Sequence, residues 1–325
     1  MKVVITGGAG FIGSRLARTL LEQGQLANQA GVQTQIDKLV ILDQFAPEHL
    51  PDDPRVEIVI GQANDSAALQ QALKGADSVF HFASVVSGGA EADLHLGLSV
   101  NLDGTRMLLD ILAAEERKPR LVFASSGAVY GVGAERVTDA TPTHPKSSYG
   151  VQKLCCELLV GDYSRKGLID GRAMRFPTIA VRPGKPNLAN SSFISNIVRE
   201  PAAGRTTICP VPEDTEISLM SPGRLIASII KVHDLDAGAL GWPRTLLLPA
   251  VKVSVRQMLE ALEAELGPKA RALVSFTQDA GIHTMVQSWP VDIVAQRAEA
   301  LGIAADANAL EIVQDYLSEH PPAAF

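Results

Sequence analysis

Short apolar runs rich in β-branched residues recur through the first half of the chain, and each adjoins a segment with helical hydrophobic period. Strands buried on both faces of a parallel sheet have this continuous apolar character. The runs predict strands at about 2–6, 38–42, 55–60, 77–82, 120–125 and 171–176. Strands that alternate with helices indicate right-handed βαβ units, and therefore an α/β fold with a doubly wound parallel sheet. Ligands of such a sheet bind at the carboxyl ends of its strands.

The pattern changes after about residue 176, where Pro and polar residues become frequent as far as 222. Ser221 and Pro222 predict the N-cap and first turn of a helix that runs to about 232. Beyond it we expect strands near 245–249 and 272–277, and helices at about 254–266, 291–301 and 307–319. The pattern predicts two domains: residues 1–176 plus about 215–249 form the sheet domain, and about 177–214 plus 250–325 form a smaller α+β substrate-binding lobe.

Composition narrows the class of protein. The 325 residues are 46% hydrophobic and 20% charged, which suffices for a large core and excludes a disordered chain. A net charge of −7 without blocks of like charge disfavours binding to nucleic acid or to an anionic membrane surface. Three cysteines cannot form a disulfide framework, and no apolar run reaches the length of a membrane helix or resembles a signal peptide. We therefore expect a cytoplasmic protein.

A glycine-rich turn, Thr6-Gly-Gly-Ala-Gly-Phe-Ile-Gly13, lies between the first predicted strand and an amphipathic helical segment. Gly7 and Gly10 allow the backbone to turn and to approach a pyrophosphate, and Gly13 allows the helix to pack closely on the strand. Phe11 and Ile12 belong to the same turn, and we expect all five residues to bind a dinucleotide. The alternative is a glycine turn without a ligand, which this strand-turn-helix context disfavours.

Asp43 ends the predicted strand 38–42, where its carboxylate can accept hydrogen bonds from both hydroxyls of an adenosine ribose. A carboxylate there would repel a 2′-phosphate, which favours NAD over NADP as the cofactor. The interval from Gly13 to Asp43 exceeds the usual ~20 residues, and we expect residues 24–37 to form an extended loop. The alternative is an aspartate that is merely solvated at a strand end.

The third motif begins with Ser125-Ser126-Gly127 at the end of a buried strand and continues with Tyr149 and Lys153. Tyr149 and Lys153 are four residues apart, so they share one face of a helix. A neighbouring ammonium group stabilises a phenolate, which makes Tyr149 a candidate general base. On its own this spacing is common in surface helices, and the hypothesis depends on the motifs that surround it.

The glycine turn, Asp43, Ser126 and Tyr149-x-x-x-Lys153 combine with two further runs, His81-Phe82-Ala83 and Asn101–Thr105. Together they resemble the extended short-chain dehydrogenases/reductases, the family of nucleotide-sugar epimerases and dehydratases. The resemblance covers the first half of the chain closely and implies a Rossmann-type NAD-binding domain. Within the family, the segments 175–187, 191–201, 221–224 and 246–249 resemble a subgroup of dehydrogenases that act on small aldonates such as D-erythronate.

The resemblance also implies residue roles. Ser126 would orient the substrate hydroxyl, Tyr149 would remove its proton, and Lys153 would bind the nicotinamide ribose. We further expect four residues to bind the cofactor: Ala83 through its backbone, Asn101, Tyr149 and Thr178. Asn101 would also support the helix and an active-site water. The chain departs from the family pattern at two positions. Gln62 stands where an Asp often contacts adenine, and Thr178 stands near the position where many sugar-nucleotide enzymes have Asn.

A small acid as substrate requires a cation for its carboxylate, and Arg182 and Lys185 are the candidates. An arginine offers two parallel donors to a carboxylate, whereas a lysine offers a point charge. For either residue the alternative is a solvated loop charge. Serines could bind the sugar hydroxyls, although loop serines more often serve turns; the candidates are Ser87, Ser126, Ser191 and Ser192.

The predicted function is NAD-dependent oxidation of the 2-hydroxyl of D-erythronate, or of a similar small aldonate, to the 2-oxo acid. One alternative is a nucleotide-sugar 4-epimerase or dehydratase. Another is a non-enzymatic dinucleotide sensor, which the presence of Ser126, Tyr149 and Lys153 disfavours. We expect a homodimer. We also expect no metal, because neither His81 nor His144 has metal-ligand spacing.

Overall fold

The computed structural model describes residues 1–48, 50–131, 136–184 and 191–323. The strands within that part of the chain are β1 (Lys2–Thr6), β2 (Gln25–Ala27), β3 (Gln33–Gln35), β4 (Lys38–Asp43), β5 (Val56–Ile60), β6 (Ser78–His81), β7 (Arg120–Ser126), β8 (Arg136–Thr138), β9 (Asp170–Phe176), β10 (Thr178–Ile179), β11 (Thr207–Cys209), β12 (Glu216–Met220), β13 (Thr245–Leu247), β14 (Val251–Ser254), β15 (Val274–Phe276) and β16 (Asp292–Val294).

The α-helices of the described residues are α1 (Phe11–Gln23), α2 (Ser66–Leu73), α3 (Ser87–Ala92), α4 (Leu94–Gly97), α5 (Gly104–Ala113), α6 (Ser148–Arg165), α7 (Ser192–Ala202), α8 (Pro222–Asp234), α9 (Ala237–Leu240), α10 (Val255–Leu266), α11 (Pro268–Arg271), α12 (Ala280–Gln287), α13 (Gln296–Ala300) and α14 (Ala309–Glu319). A π-helix (Leu98–Asp103) joins α4 to α5, and a 3₁₀ turn (Gly127–Tyr130) follows β7. None of these helices is long and apolar enough to cross a membrane.

The central sheet has seven strands in the order β13-β9-β7-β6-β1-β4-β5. Strand β1 pairs in parallel with β4 on one side and with β6 on the other, so the strand order reverses at β1. A doubly wound sheet opens a crevice at this reversal, outside the carboxyl ends of the strands. The predicted fold and the six predicted strands are confirmed.

Apolar side chains explain why these strands lie at the centre. Val4, Val40 and Leu121 on three of them are completely buried. They belong to one core with Leu69 of α2 and Leu108 of α5, so these helices cover the sheet. Burial of this kind stabilises a fold by about 25 cal/mol per Å² of apolar surface.

Contacts divide the chain into two units. The first contains 1–129, 145–175 and 226–246, and the second contains 130–144, 176–225 and 247–323 of the described residues. The second unit has its own core and three small sheets, β10-β12-β14, β11-β15 and β16-β8. The domain boundaries expected from the sequence remain a prediction.

Two local predictions were wrong. Residues 24–37, expected as an extended loop, contain the antiparallel hairpin β2–β3, because Leu26 is fully buried and the Asn28 side chain accepts hydrogen bonds from two turn amides. Residues 291–301, expected as one helix, begin with β16, which pairs in parallel with the distant strand β8, and only Gln296–Ala300 is helical. The predicted start of α8 is confirmed, since the Arg224 amide donates to Ser221 Oγ at 3.2 Å.

Candidate active site

The glycine turn connects β1 to α1 in a conformation that side chains would block. Gly7 has a φ of +70°, and a Cβ atom there would lie 2.6 Å from the Ala83 nitrogen. A Cβ atom on Gly13 would lie 2.2 Å from the Gly7 oxygen. Helix α1 begins at Phe11 with no acidic residue in its first turn and no side chain capping its amides. Amides that lack a capping partner at a helix N-terminus suit an anion such as a pyrophosphate.

Asp43 ends β4 beside this turn. Its two carboxylate oxygens accept hydrogen bonds from the backbone amides of Ala9, at 3.0 Å, and Phe45, at 3.3 Å. Each oxygen keeps a second lone pair, so the carboxylate can still accept from a ribose diol. A cavity of about 490 Å³ adjoins it, lined by Gln44, Phe45, Ile60, Gly61, Gln62, Asn64 and Asp65. The turn, the carboxylate and the cavity fit a dinucleotide.

Tyr149 and Lys153 lie on α6 and are close together. The Lys153 ammonium nitrogen lies 5.5 Å from the centre of the Tyr149 ring and donates to the Ala124 carbonyl of β7 at 2.9 Å. Lys153 is only 3% exposed. Ser126 ends β7, and its Oγ accepts a hydrogen bond from the Ala128 amide at 3.2 Å. The first unit therefore carries all three candidate catalytic residues at the end of β7 and on the helix packed against it.

Gly150 explains how α6 comes so close to the turn after Ser126. A Cβ atom on Gly150 would lie 2.4 Å from the Ala128 carbonyl oxygen, closer than real side chains approach. Helix α6 is capped at the same end, where the Gly150 amide donates to Ser147 Oγ at 3.1 Å. Gly150 was not among the predicted site residues, although a glycine directly after the candidate base is a visible signal in the sequence.

Replacing Gly150 by Ala is therefore expected to lower the free energy of unfolding by about 1–3 kcal/mol, because the new methyl group overpacks a backbone contact. Gly161→Ala is the matched control on the same helix, where the nearest atom to the new methyl is a Trp242 ring carbon at 3.7 Å. That control should be neutral or stabilising by up to about 1 kcal/mol. Urea unfolding of both variants tests this, and equal effects at the two positions would contradict the packing argument.

Asn101 is buried in the π-helix and joins α6 to the segment that follows β6. Its Oδ1 accepts from the Val85 amide at 2.7 Å and from Ser84 Oγ at 3.0 Å. Its Nδ2 donates to the Val85 carbonyl and, at 2.7 Å, to Gln152 Oε1. Asn101 thus holds the segment after Ala83 against the residue that precedes Lys153. Single-turn π-helices are frequent at functional sites. No local pattern in the sequence pointed to Gln152.

His81 is a buried core residue of β6. Its ring nitrogens bond Thr6 Oγ1 at 2.6 Å and Thr105 Oγ1 at 2.9 Å. Burial, and to a smaller extent the charge of Lys153, lowers the pKa of His81 to about 3. No group of three or more His, Cys, Asp or Glu side chains that could hold a metal ion occurs among the described residues.

The remaining candidates are spread over both units. Ser87 begins α3 in the first unit, whereas Thr178 lies on β10 in the second, paired with Leu219 of β12. Arg182 is held by its backbone, which donates to Ser195 Oγ at 3.0 Å and accepts from Arg199 at 2.9 Å, and its Nε donates to the Ile179 carbonyl. Ser191 and Ser192 form the start of α7 in the same unit. Lys185 lies outside the described residues.

A buried ion pair lies one helical turn beyond Lys153. Glu157, 4% exposed, accepts a hydrogen bond from Ser125 Oγ and pairs with Arg175 at the end of β9, at 2.7 Å. Neither Glu157 nor Arg175 was among the predicted site residues. The spacing of four between Lys153 and Glu157, which places them on one helix face, was the signal available for Glu157.

The sequence profile of the NAD dependent epimerase/dehydratase family matches residues 3–235, so this chain belongs to that family. The resemblance predicted from the motifs is confirmed. Within the family the chain is a dehydrogenase, an oxidoreductase that uses a nicotinamide dinucleotide.

Particular relatives resemble the chain over almost its whole length. It is 45% identical over 321 residues to the D-erythronate dehydrogenase of Cupriavidus necator, with 98% of each chain covered. It is 40% identical over 319 residues to the D-erythronate dehydrogenase of Haemophilus influenzae, with 98% of this chain and 99% of the relative covered. A crystal structure described as the nucleoside-diphosphate-sugar epimerase from Agrobacterium tumefaciens matches with a TM-score of 0.92 and 36% identity, covering 98% of this chain and 94% of that one.

Proposed function

We propose that this protein oxidises the 2-hydroxyl of D-erythronate, or of a similar four-carbon aldonate, to the 2-oxo acid with NAD. The observation that carries the proposal is the identity of 45% and 40% to two proteins named D-erythronate dehydrogenase, spread over nearly the full chain. Formation of NADH with D-erythronate as the only added substrate is the experiment that tests it.

The proposed chemistry assigns a step to each residue near α6. When bound, NAD supplies a hydride acceptor at carbon 4 of the nicotinamide. The Tyr149 phenol oxygen removes the proton of the substrate hydroxyl, and Ser126 Oγ donates a hydrogen bond that orients that hydroxyl. The buried Lys153 ammonium stabilises the phenolate and binds the nicotinamide ribose. This assignment is supported by the 5.5 Å separation of the Lys153 nitrogen and the Tyr149 ring.

The substrate carboxylate and the cofactor need further residues. For the carboxylate we propose Arg182, with Lys185 as the alternative cation and with Ser87, Ser191 and Ser192 as partners of the sugar hydroxyls. For the dinucleotide we propose Gly7, Gly10, Phe11, Ile12 and Gly13 at the pyrophosphate, Asp43 at the adenosine ribose, and Ala83, Asn101 and Thr178 along the remainder.

Cofactor choice follows from Asp43, which has Gln44 rather than an arginine beside it. Asp43→Ala is expected to raise the KM for NAD and to relax the preference against NADP, because the variant loses the acceptor for the ribose hydroxyls and the charge that repels a 2′-phosphate. Steady-state kinetics with both cofactors measure this, and Asp52→Ala, at an exposed aspartate, is the control. Equal efficiency with NAD and NADP in the unmodified enzyme would contradict the assignment.

A second candidate function, nucleotide-sugar epimerisation, is favoured by one observation, the description of the structure that matches with a TM-score of 0.92. The identity to that protein, 36%, is lower than the identity to both D-erythronate dehydrogenases. Thr178 also stands near the position where many sugar-nucleotide enzymes have Asn. An epimerase returns the hydride to its substrate, so it produces no net NADH.

We also propose a homodimer. Helix α6 presents two large apolar side chains to solvent, Val151 and Leu158, which are 45% and 67% exposed. Exposed apolar side chains on one helix are suited to contact with a second chain. Light scattering should give a mass about twice 34.5 kDa, and the Leu158→Glu variant should give the single-chain mass. A single-chain mass for the unmodified protein would refute the homodimer.

A further inference from the structure

Three residues spaced four apart along α6, Tyr149, Lys153 and Glu157, share one face of the helix. Two of them carry opposite charges in a buried setting, since Lys153 is 3% and Glu157 is 4% exposed. An acid and a base at this spacing are close enough to pair with each other, and they attract more strongly when they are shielded from water. If they paired here, the charge of Lys153 would be neutralised beside Tyr149.

The carboxylate of Glu157 is instead occupied by Arg175. The Arg175 Nε donates to both carboxylate oxygens, at 3.0 and 3.2 Å, and Nη2 donates to Oε2 at 2.7 Å. Ser125 Oγ donates to Oε1 as well. The Lys153 ammonium is turned the other way along the helix, where it donates to the Ala124 carbonyl at 2.9 Å and lies near the Tyr149 ring.

We propose that Arg175 and Glu157 are positioning residues that set the electrostatic field at Tyr149: Arg175 neutralises the Glu157 carboxylate and so leaves the Lys153 charge to act on the phenol. The proposal rests on the proposed function in taking Tyr149 as the base. It assigns the ion pair a role in activating that base, in addition to its packing between α6 and the ends of β7 and β9.

The other titratable groups around α6 contribute little to the electrostatic field at Tyr149. His81 of β6 is uncharged at neutral pH because burial lowers its pKa to about 3, and burial raises the pKa of the Cys156 thiol to about 11. On the remaining elements packed against α6, Arg120 of β7 is buried and pairs with Asp170 at 3.1 Å. The other titratable side chains on these elements are exposed to solvent, which screens them. They are Glu91 of α3, His95 of α4, Asp103 of the π-helix, and Arg106 and Asp110 of α5.

Two substitutions have opposite expected signs. Arg175→Met leaves the Glu157 charge without its partner, so it should move the titration of Tyr149 to higher pH by about one unit. Glu157→Gln keeps the shape and an acceptor for Ser125 but leaves Arg175 as an additional positive charge, so it should move the titration to lower pH. The double variant carries neither charge and should titrate close to the unmodified protein. Ser125→Ala, which removes a neutral contact, should leave the titration where it is.

The readout is the ultraviolet absorbance of tyrosinate as a function of pH, with the curve of Tyr149→Phe in the same background subtracted. The chain has four tyrosines, and the subtraction removes the contributions of Tyr130, Tyr163 and Tyr316. The pKa values of Tyr163 and Tyr316 are raised, by the neighbouring Asp110 and by burial respectively. Shifts of opposite sign, cancelled in the double variant, support the proposal. Shifts of the same sign, or none, overturn it.

Two further features keep the test decisive. If circular dichroism shows that Arg175→Met does not fold, the sign of the Glu157→Gln shift decides alone, because that substitution preserves the size of the side chain. The titration needs no substrate, so its result stands even if D-erythronate is not oxidised. Conversely, normal NADH formation by the unmodified enzyme together with unshifted variants refutes only the role of the ion pair.

Discussion

Replacing Tyr149 by Phe is expected to lower kcat with D-erythronate by about 100- to 10,000-fold while changing the affinity for NAD little, because the substitution removes only the oxygen that accepts the substrate proton. Lys153→Met should lower both kcat and the affinity for NAD, since the ammonium 5.5 Å from the Tyr149 ring would act on the phenolate and on the nicotinamide ribose. The rate of NADH formation measures kcat, and quenching of protein fluorescence by NAD measures the affinity for NAD.

The matched control is Tyr163→Phe, which removes the same atom from the same helix. The Tyr163 hydroxyl donates to the Asp110 carboxylate at the solvent-exposed end of α6. Its loss should leave kcat within about twofold, since exposed hydrogen bonds to charged groups contribute little to a distant site. If Tyr149→Phe kept most of its activity, the proposed role of Tyr149 as base would be wrong.

Arg182→Ala is expected to weaken turnover of D-erythronate by about 2–5 kcal/mol in transition-state binding, the usual cost of cutting a buried charge pair in half. A four-carbon acid offers few other groups to bind, so the loss of one cation cannot be spread over many contacts. The side chain departs from a backbone fixed on both sides, by Ser195 Oγ and by Arg199. The ratio of kcat/KM for the two enzymes measures the effect, and NAD binding should be nearly unchanged.

Two further variants decide whether Arg182 is the relevant cation. Lys185→Ala should have the smaller effect; the reverse order would transfer the role to Lys185. Arg256→Ala is the surface control, because that side chain is 56% exposed and its ion pair with Glu213 is 3.6 Å long. A similar loss in all three variants would indicate a general effect of charge rather than a carboxylate site.

The local sequence contained enough information for the sheet and for the cofactor turn. Strands β1, β4 and β7 each contain an unbroken apolar run. The positions that require glycine, Gly7 and Gly13, are fixed by backbone approaches of 2.6 and 2.2 Å that any Cβ atom would violate. The proximity of Tyr149 and Lys153 could be predicted because helical spacing places them on one face. These features depend on residues close together in the sequence, or on glycine at positions that exclude a Cβ atom.

The features that local patterns did not predict depend on contacts with residues distant in the sequence. Strand β16 exists because it pairs with β8, more than 150 residues earlier, and its own sequence also fits the start of a helix. Gln152 contacts Asn101, and Glu157 contacts Arg175, through side chains whose meeting is decided by the packing of α6 on the sheet. Without that packing, each is an ordinary polar residue.

The most direct test of the proposed function is net NADH formation by the purified enzyme, measured by absorbance over a panel of four-carbon aldonates that differ in stereochemistry, with nucleotide sugars assayed in parallel for epimerisation. We predict NADH with D-erythronate, in proportion to the acid consumed, and no epimerised sugar. Epimerisation of a nucleotide sugar without release of NADH, together with no NADH from any four-carbon aldonate, would contradict the proposal.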